Sequence, residues 1–124
     1  GSTEFAHIAE IIESLALAYP KIVFQLLKQG EVVLKTSGSG KLAETMVELE
    51  FVSPRVELLP ITGVEMKLGM AVYGHMGKPP LCRGDRKGIV TLVNNRPVRC
   101  PLALKALDYA FSDLIPKGKH PIAV

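Results

Sequence analysis

The first stretch of this sequence that could do chemistry is the Gly-rich run Ser37-Gly38-Ser39-Gly40-Lys41. Backbone amides of a Gly-rich turn can cradle a phosphate group, and a following Lys can reach it. A phosphate-binding loop, however, needs Gly where Lys35 stands and Ser or Thr where Leu42 stands. We therefore interpret the run as a structural loop that leads into a helix.

The residue types of metal and catalytic sites are present, but they are not spaced for such sites. His7, His75 and His120 are far apart in the sequence, and Cys82 and Cys100 do not form a Cys-x-x-Cys pair. None of the twelve carboxylates falls into a recognisable Ser/His/Asp or paired-acid pattern. The sequence thus predicts no catalytic residue and no metal site, and its two cysteines favour a reducing, cytoplasmic location.

Basic side chains are concentrated in the second half of the chain. Residues 1–62 hold five basic and eight acidic side chains, a net charge of −3, whereas residues 63–124 hold ten and four, a net charge of +6. Arginines held on a hairpin offer planar, bidentate donors to phosphate oxygens, so a basic cluster here is a candidate nucleic-acid surface. The alternative is a solvated surface with ordinary variation in charge. Asp85 is the one acidic residue in this stretch, and the basic cluster consists of Lys78, Arg83, Arg86, Lys87, Arg96 and Arg99.

Length and composition favour one globular domain. With 124 residues, of which 48% are hydrophobic and 22% charged, the chain can fold around one core without a disulfide or a structural metal. These values exclude a disordered chain, and no apolar run approaches the ~20 residues of a membrane span. Gly1-Ser2 is typical of an expression-tag remnant, so we expect a single domain over residues 3–124 and no membrane partner.

The first half predicts a helix, a hairpin and a second helix. Apolar residues recur at helical spacing after Thr3, which we take as the N-cap, and Pro20 ends that helix. Residues 22–28 and 31–36 are rich in β-formers and flank Gln29-Gly30, which predicts a β-hairpin. A short helix follows the Gly-rich loop, with an apolar face formed by Leu42, Met46 and Leu49.

The middle of the chain predicts two strands and a loop. Residues 64–73 alternate between apolar and other side chains, which predicts one strand with one buried face. Residues 74–87 contain Gly, Pro and most of the basic cluster, so we expect an exposed loop. Residues 89–93 predict the next strand, and Asn94-Asn95 predicts a tight turn. The alternating apolar set is Val64, Met66, Leu68, Met70 and Val72.

The end of the chain predicts a third helix and a last strand. Pro101 suits a first helical turn, and apolar residues continue at helical spacing to Leu114. Residues 116–121 predict a loop, and residues 122–124 are typical of a strand cut short. The order of all these elements predicts an α+β fold, in which helices cover one face of a mixed β-sheet.

Several blocks of the sequence together resemble one protein family. In order, they are Thr3-Glu4-Phe5 with His7-Ile8, Leu15-Ala16-Leu17-Ala18-Tyr19-Pro20 followed by Phe24, Thr36-Ser37-Gly38-Ser39-Gly40, Val93-Asn94-Asn95-Arg96-Pro97-Val98-Arg99, and Leu114-Ile115-Pro116-Lys117-Gly118-Lys119-His120-Pro121. Over nearly its whole length the chain is similar to the second domain of the ATPase half of the bacterial-type MutL family of DNA mismatch repair proteins. Two positions depart from the family: Asn95 replaces the commoner Gly, and Pro101 stands where many relatives have a basic or polar residue.

The resemblance implies a ribosomal-protein-like transducer fold with a left-handed β-α-β crossover, an exception to the usual right-handed rule. It implies that this fragment is not an enzyme and that it couples ATP-driven closure of a dimer to DNA binding through a basic hairpin and loop. The expected DNA contacts are Arg96 and Arg99, which match the family's arginine positions, joined by Lys78, Arg83, Arg86 and Lys87.

The resemblance also implies partners and cofactors of a longer parent protein. No cofactor is expected in this fragment, since ATP and Mg are expected to bind motifs of the parent that lie outside residues 1–124. The expected partners are DNA, the parent's ATP-binding domain, a MutS-like mismatch recognition protein and a second copy in a homodimer. A function of another class also fits the residues: a protein-interaction domain whose basic loop contacts a protein partner.

Overall fold

A computed structural model of the chain describes residues 2–67, 69–78, 81–84 and 88–124, except for the side chain of Glu65. The helices are α1 (Ser2–Ala18), α2 (Leu42–Glu48) and α3 (Pro101–Phe111). The strands are β1 (Gln25–Lys28), β2 (Glu31–Lys35), β3 (Leu58–Glu65), β4 (Met70–Gly77), β5 (Thr91–Val93) and β6 (Arg96–Val98). These elements confirm the predicted α+β class.

The chain divides into two compact units. The first consists of Gly1–Ser53 and Leu92–Val98, and the second consists of Pro54–Thr91 and Arg99–Val124. The assignment of residues 3–124 to a single transducer domain stays a prediction, and so does the handedness of the β-α-β crossover.

Helix α1 contributes its C-terminal end to the core of the first unit. It ends at Ala18, two residues before Pro20, because a proline lacks the amide N–H that would continue the helix and clashes with the preceding turn. It begins at Ser2, so Thr3 lies inside it, and the prediction that Thr3 is the N-cap is wrong. The buried residues of α1 lie in its last turn and are Ala16, Leu17 and Ala18.

Strands β1 and β2 form the predicted antiparallel hairpin, joined by the two-residue turn Gln29-Gly30. Both turn residues have positive φ, 51° for Gln29 and 81° for Gly30. This is the backbone of a type I′ turn, whose twist matches that of the strands. Thr36 closes the open end of the hairpin: it is 2% exposed, and its Oγ1 accepts the N–H of Phe24 at 2.9 Å.

Helix α2 is short, and it buries the apolar face that its sequence predicts. Met46 is fully buried, and Leu49 is nearly so. Thr45 is also buried, and its hydroxyl donates to the carbonyl of Lys41 at 3.3 Å, which satisfies the polar group within the helix. Glu50 has a φ of 63°, so the chain leaves helical geometry directly after the helix.

The predicted strand over residues 64–73 is wrong, because the chain turns inside it. β3 ends at Glu65, β4 starts at Met70, and the two strands pair antiparallel with Val64 opposite Ala71. Gly69 has a φ of 61°, and its N–H bonds the carbonyl of Met66 at 3.3 Å. Leu68, which supported the prediction, lies outside the described residues.

The alternation of apolar residues did not predict a buried face correctly, because the distal half of this hairpin is exposed to solvent on both faces. Met66 is 85% exposed and Tyr73 is 77% exposed. Val64 and Val72, which belong to opposite faces in the register, are also exposed. A two-residue apolar period here therefore marks an exposed apolar hairpin and not a strand with one buried face.

The predicted loop over residues 74–87 is partly wrong, since residues 74–77 belong to β4. Gly74 and Gly77 are buried. A Cβ at Gly77 would lie 2.5 Å from Cδ2 of Leu81, so this glycine permits close approach inside the unit and does not mark a loop. Residues 79, 80 and 85–87 of the predicted loop lie outside the described residues.

Residues 122–124 lie between β4 and residues 88–90. Ala123 forms isolated bridges, antiparallel with Met76 and parallel with Ile89, so the predicted short strand is present only as single bridges. Backbone hydrogen bonds of 2.8 to 2.9 Å hold it through the pairs His75–Val124, Gly77–Ile122, Gly88–Ala123 and Val90–Ala123.

Two glycines make room for this C-terminal segment. A Cβ at Gly74 would collide with the carbonyl oxygen of Val124, and a Cβ at Gly88 would lie 2.9 Å from Cγ1 of Ile122. Because backbones approach this closely only where a side chain is absent, the glycines determine where the segment can lie.

Strands β5 and β6 flank Asn94-Asn95, whose φ angles of 50° and 65° confirm the predicted tight turn as type I′. Helix α3 starts at Pro101 as predicted, because a missing N–H is harmless in the first turn. It ends at the buried Phe111 and does not reach Leu114, which is exposed.

We expect Gly74→Ala to lower the free energy of unfolding by about 1–3 kcal/mol, because the new methyl group forces the backbone of Val124 away from β4. Gly63→Ala is the matched control in the same hairpin, since a Cβ there meets nothing within 4 Å. Urea unfolding measures both variants, with stability read from the midpoint at unchanged slope. Equal midpoints for the two variants would contradict the assigned role of Gly74.

We expect Glu13→Gln to stabilise the chain at neutral pH. Burial, and secondarily the negative charge of Glu10, raise the pKa of Glu13 above its ordinary value of 4.5. The ionised carboxylate therefore destabilises the folded state above that raised pKa, and the penalty disappears as the pH falls below 4.5. Thermal unfolding should show a higher Tm for the variant at pH 7.5 and equal Tm values near pH 3.5. Glu10→Gln, which removes only the repulsion, should give the smaller gain.

Candidate nucleic-acid interface

The two arginines expected from the family resemblance are both exposed. Arg96 begins β6, directly after the type I′ turn, and lies in the first unit, where β6 packs against α1. Arg99 follows β6 and lies in the second unit. Neither guanidinium has a hydrogen bond or ion pair with residues that the structure describes. Within the part of the chain that the structure describes, both groups are exposed and carry no ion pair.

Lys78 lies at the end of β4 and already has a partner. Its Nζ is 3.0 Å from Oε2 of Glu57, and its backbone N–H bonds the carbonyl of the same residue at 3.0 Å. Both side chains are more than half exposed, so the pair contributes little to stability and a phosphate can compete with it.

Arg83 is held more firmly than the other predicted contacts. Its backbone N–H and C=O exchange hydrogen bonds of 2.7 Å with those of His120, as in one pair of an antiparallel ladder. Its Cδ lies 2.9 Å from the position that a Cβ on Gly88 would take, and the residue is half-buried. Arg86 and Lys87, the remaining predicted contacts, lie outside the described residues.

The predicted contacts do not include Lys119, which the fold brings beside the same segment. Its Nζ lies 3.6 Å from the position that a Cβ on Gly84 would take. The run Lys117-Gly118-Lys119 is visible in the sequence, but its proximity to Gly84 depends on the pairing of Arg83 with His120. A signal for Lys119 thus exists only once that pairing is known.

The Gly-rich loop is structural, as we interpret it from sequence. Three of its five amides are already bonded inside the first unit: Ser37 N–H to the carboxylate of Glu48 at 3.0 Å, Gly40 N–H to the carbonyl of Pro20 at 3.0 Å, and Lys41 N–H to Oγ of Ser39 at 3.2 Å. These three amides are therefore not free to cradle a phosphate.

The structure describes polar contacts of two histidines. His120 Nδ1 lies 3.2 Å from Oδ1 of Asp108, and no hydroxyl or thiol of the described residues bonds the ring. The Nδ1 atom of His75 is buried without a hydrogen-bond partner in the described part of the chain. Among the described residues, no group of three or more His, Cys, Asp or Glu side chains could hold a metal ion. In the same part of the chain, no helix is long and apolar enough to span a bilayer.

Comparisons with known proteins support the family resemblance that the sequence blocks indicate. The family model for the DNA mismatch repair protein, C-terminal domain, matches residues 50–124. The chain is 34% identical over 122 residues to the DNA mismatch repair protein MutL of Shouchella clausii, which covers 98% of this chain and 18% of that protein. It is 33% identical over 123 residues to MutL of Pelotomaculum thermopropionicum, covering 99% and 20% of the two chains.

A third relative gives the same result. MutL of Opitutus terrae is 35% identical over 121 residues, which cover 98% of this chain and 19% of that protein. The chain thus spans about a fifth of the length of these relatives. From the family match over more than half of its residues and the whole-chain similarity, the chain belongs to the MutL family of DNA mismatch repair proteins.

Proposed function

We propose that this chain is the non-catalytic transducer domain of a MutL-like mismatch repair protein and that it couples ATP-driven dimer closure to DNA binding. The proposal rests on the exposed Arg96, which directly follows a two-residue hairpin turn and has no ion pair with the described residues, and on the exposed Arg99 three residues later. The family membership supplies the repair context.

The chemistry of the hairpin favours phosphate as the ligand. A guanidinium presents planar donors that match two phosphate oxygens at once. Because the type I′ turn fixes the backbone beside Arg96, the arginine loses less freedom on binding than it would on a flexible tail. Contacts of this kind give affinity without sequence preference, which suits a protein that acts wherever a mismatch lies.

The rest of the proposal concerns a longer protein, since the chain spans about a fifth of its relatives. In it, ATP and Mg bind the parent's ATP-binding domain, two copies close into a homodimer, and a MutS-like recognition protein is a partner. The contribution of this chain is a basic surface, and two such surfaces brought together contact more phosphates than one.

A second candidate function, protein contact, is favoured by the exposed apolar residues of the β3–β4 hairpin. Met66 and Tyr73 are almost wholly exposed, and exposed apolar patches of this kind mark interaction sites. In that reading the basic cluster serves a protein partner together with the hairpin.

We expect Arg96→Glu with Arg99→Glu to weaken binding of duplex DNA and to lower the slope of log affinity against log salt by about two, one for each lost phosphate contact. The wild type should bind with a Kd of about 10⁻⁴ to 10⁻⁶ M at physiological salt. Fluorescence anisotropy over a salt series measures both quantities.

Lys21→Glu with Lys41→Glu is the matched control, because it makes the same change in net charge on exposed side chains of the first half. This control should leave the slope nearly unchanged. Equal losses from the two double variants would show that net charge, and not a local surface, accounts for DNA binding.

We expect Met66→Ser with Tyr73→Ser to leave DNA binding unchanged under the transducer proposal, since neither side chain is charged. If the chain is mainly a protein-contact domain, the same variant should lose binding to the MutS-like protein of the same cell. Surface plasmon resonance with the MutS-like protein, beside the DNA titration, measures the protein contact of the hairpin apart from DNA binding. A variant that loses DNA binding would contradict the transducer proposal as stated.

A further inference from the structure

The pairing of Arg83 with His120 fixes which side chains share a face in this part of the second unit. Reciprocal bonds of 2.7 Å make the two residues a hydrogen-bonded antiparallel pair. This pair is an isolated bridge, and its chain neighbours Gly84 and Lys119 are also close: Nζ of Lys119 lies 3.6 Å from the position that a Cβ on Gly84 would take. Residues directly opposite each other in an antiparallel pair project their side chains to the same side.

Arg83 and His120 therefore share one side of the pair. There the ring of His120 meets Asp108 of α3 at 3.2 Å, and the aliphatic stem of Arg83 packs at Gly88. Gly84 has no side chain, and the exposed Lys119 ammonium lies beside it. The structure thus distinguishes a half-buried arginine from an exposed lysine.

The base of the Lys119 side chain is held by a tight turn. The N–H of Lys119 bonds the carbonyl of Pro116 at 3.1 Å, and Gly118 at the third position of that turn has a φ of 82°. This is the backbone that a type II turn requires. The following Pro121 is buried, so the segment is anchored on both sides of the lysine.

The Lys119 ammonium has no ion pair with a carboxylate of the residues that the structure describes. Arg83, by contrast, has a further interaction of its own besides its backbone pair. Among the described residues, an anion that approaches the exposed Gly84 therefore meets an ammonium without a carboxylate partner.

We propose that Lys119, lying across Gly84, is a phosphate contact of the DNA-binding surface and that Arg83 is a positioning residue, which holds the paired segments. This inference rests on the proposed DNA-binding function. It adds Lys119, which the sequence did not single out, to the expected contacts, and it gives Arg83, which the density of basic residues singled out, a structural role. The ligand class is a phosphodiester of duplex DNA.

The test compares Lys119→Gln with Lys117→Gln, which removes the same charge from an exposed residue of the same turn. Lys119→Gln should weaken duplex DNA binding several-fold and lower the salt slope by about one, whereas Lys117→Gln should change the slope by much less. Lys119→Arg should restore both quantities. Arg83→Ala, which removes the stem that packs at Gly88, should lower the urea midpoint and leave the salt slope nearly unchanged, as expected of a positioning residue.

Two further outcomes distinguish this inference from the proposed function. If Arg96→Glu with Arg99→Glu weakens DNA binding while Lys119→Gln and Lys117→Gln give the same salt slope, the inference is overturned and the proposed function stands.

If the wild type binds no duplex DNA, the proposed function fails. Titration with inorganic pyrophosphate then tests the anion site at Lys119 alone. Shifts of the Gly84 and Lys119 amide signals that Lys119→Gln abolishes would support the anion site, and their absence would overturn it.

Discussion

The second unit depends on one constraint. The backbone of residues 122–124 must fit between β4 and residues 88–90, where glycines leave room for it. Ala123 is paired on both sides, antiparallel with Met76 and parallel with Ile89. Gly74 and Gly88 lie where a methyl group would meet the segment. Its placement brings His120 to Arg83, and that pairing in turn brings Lys119 across Gly84. The candidate phosphate contact thus depends on glycines that have no charge and bind nothing.

Two turns, the end of α1 and the start of α3 could be predicted from the sequence because their causes are local. Gln29-Gly30 and Asn94-Asn95 adopt positive φ because Gly and Asn tolerate the left-handed region better than branched residues do. Pro20 and Pro101 act through their missing N–H, which blocks a helix after one and is harmless at the start of the other. Each of these signals needs only two or three neighbouring residues.

The elements that sequence reasoning missed depend on residues far away in the chain. The alternation over residues 64–73 is real, but it predicts a buried face only if another element covers that face, and here Met66 and Tyr73 are exposed. From the local sequence alone, Gly74 is interpreted as a loop residue, because its close contact with Val124 is visible only in the structure. A glycine that permits close approach and one that marks a loop have the same local sequence signal, so only the long-range pairing distinguishes them.

In the candidate site, too, the number of basic residues along the sequence and their positions in the fold favour different residues. The sequence favours Arg83, because it lies in the densest basic stretch. In the structure the backbone of Arg83 is paired with His120 and its stem packs at Gly88, whereas Lys119 is exposed beside Gly84. A phosphate responds to a charge only where that charge is accessible and not already neutralised, since screening and internal partners remove most of the long-range field. Under the proposed function, the basic excess of this half of the chain attracts DNA in general, and accessibility determines which residues contact it.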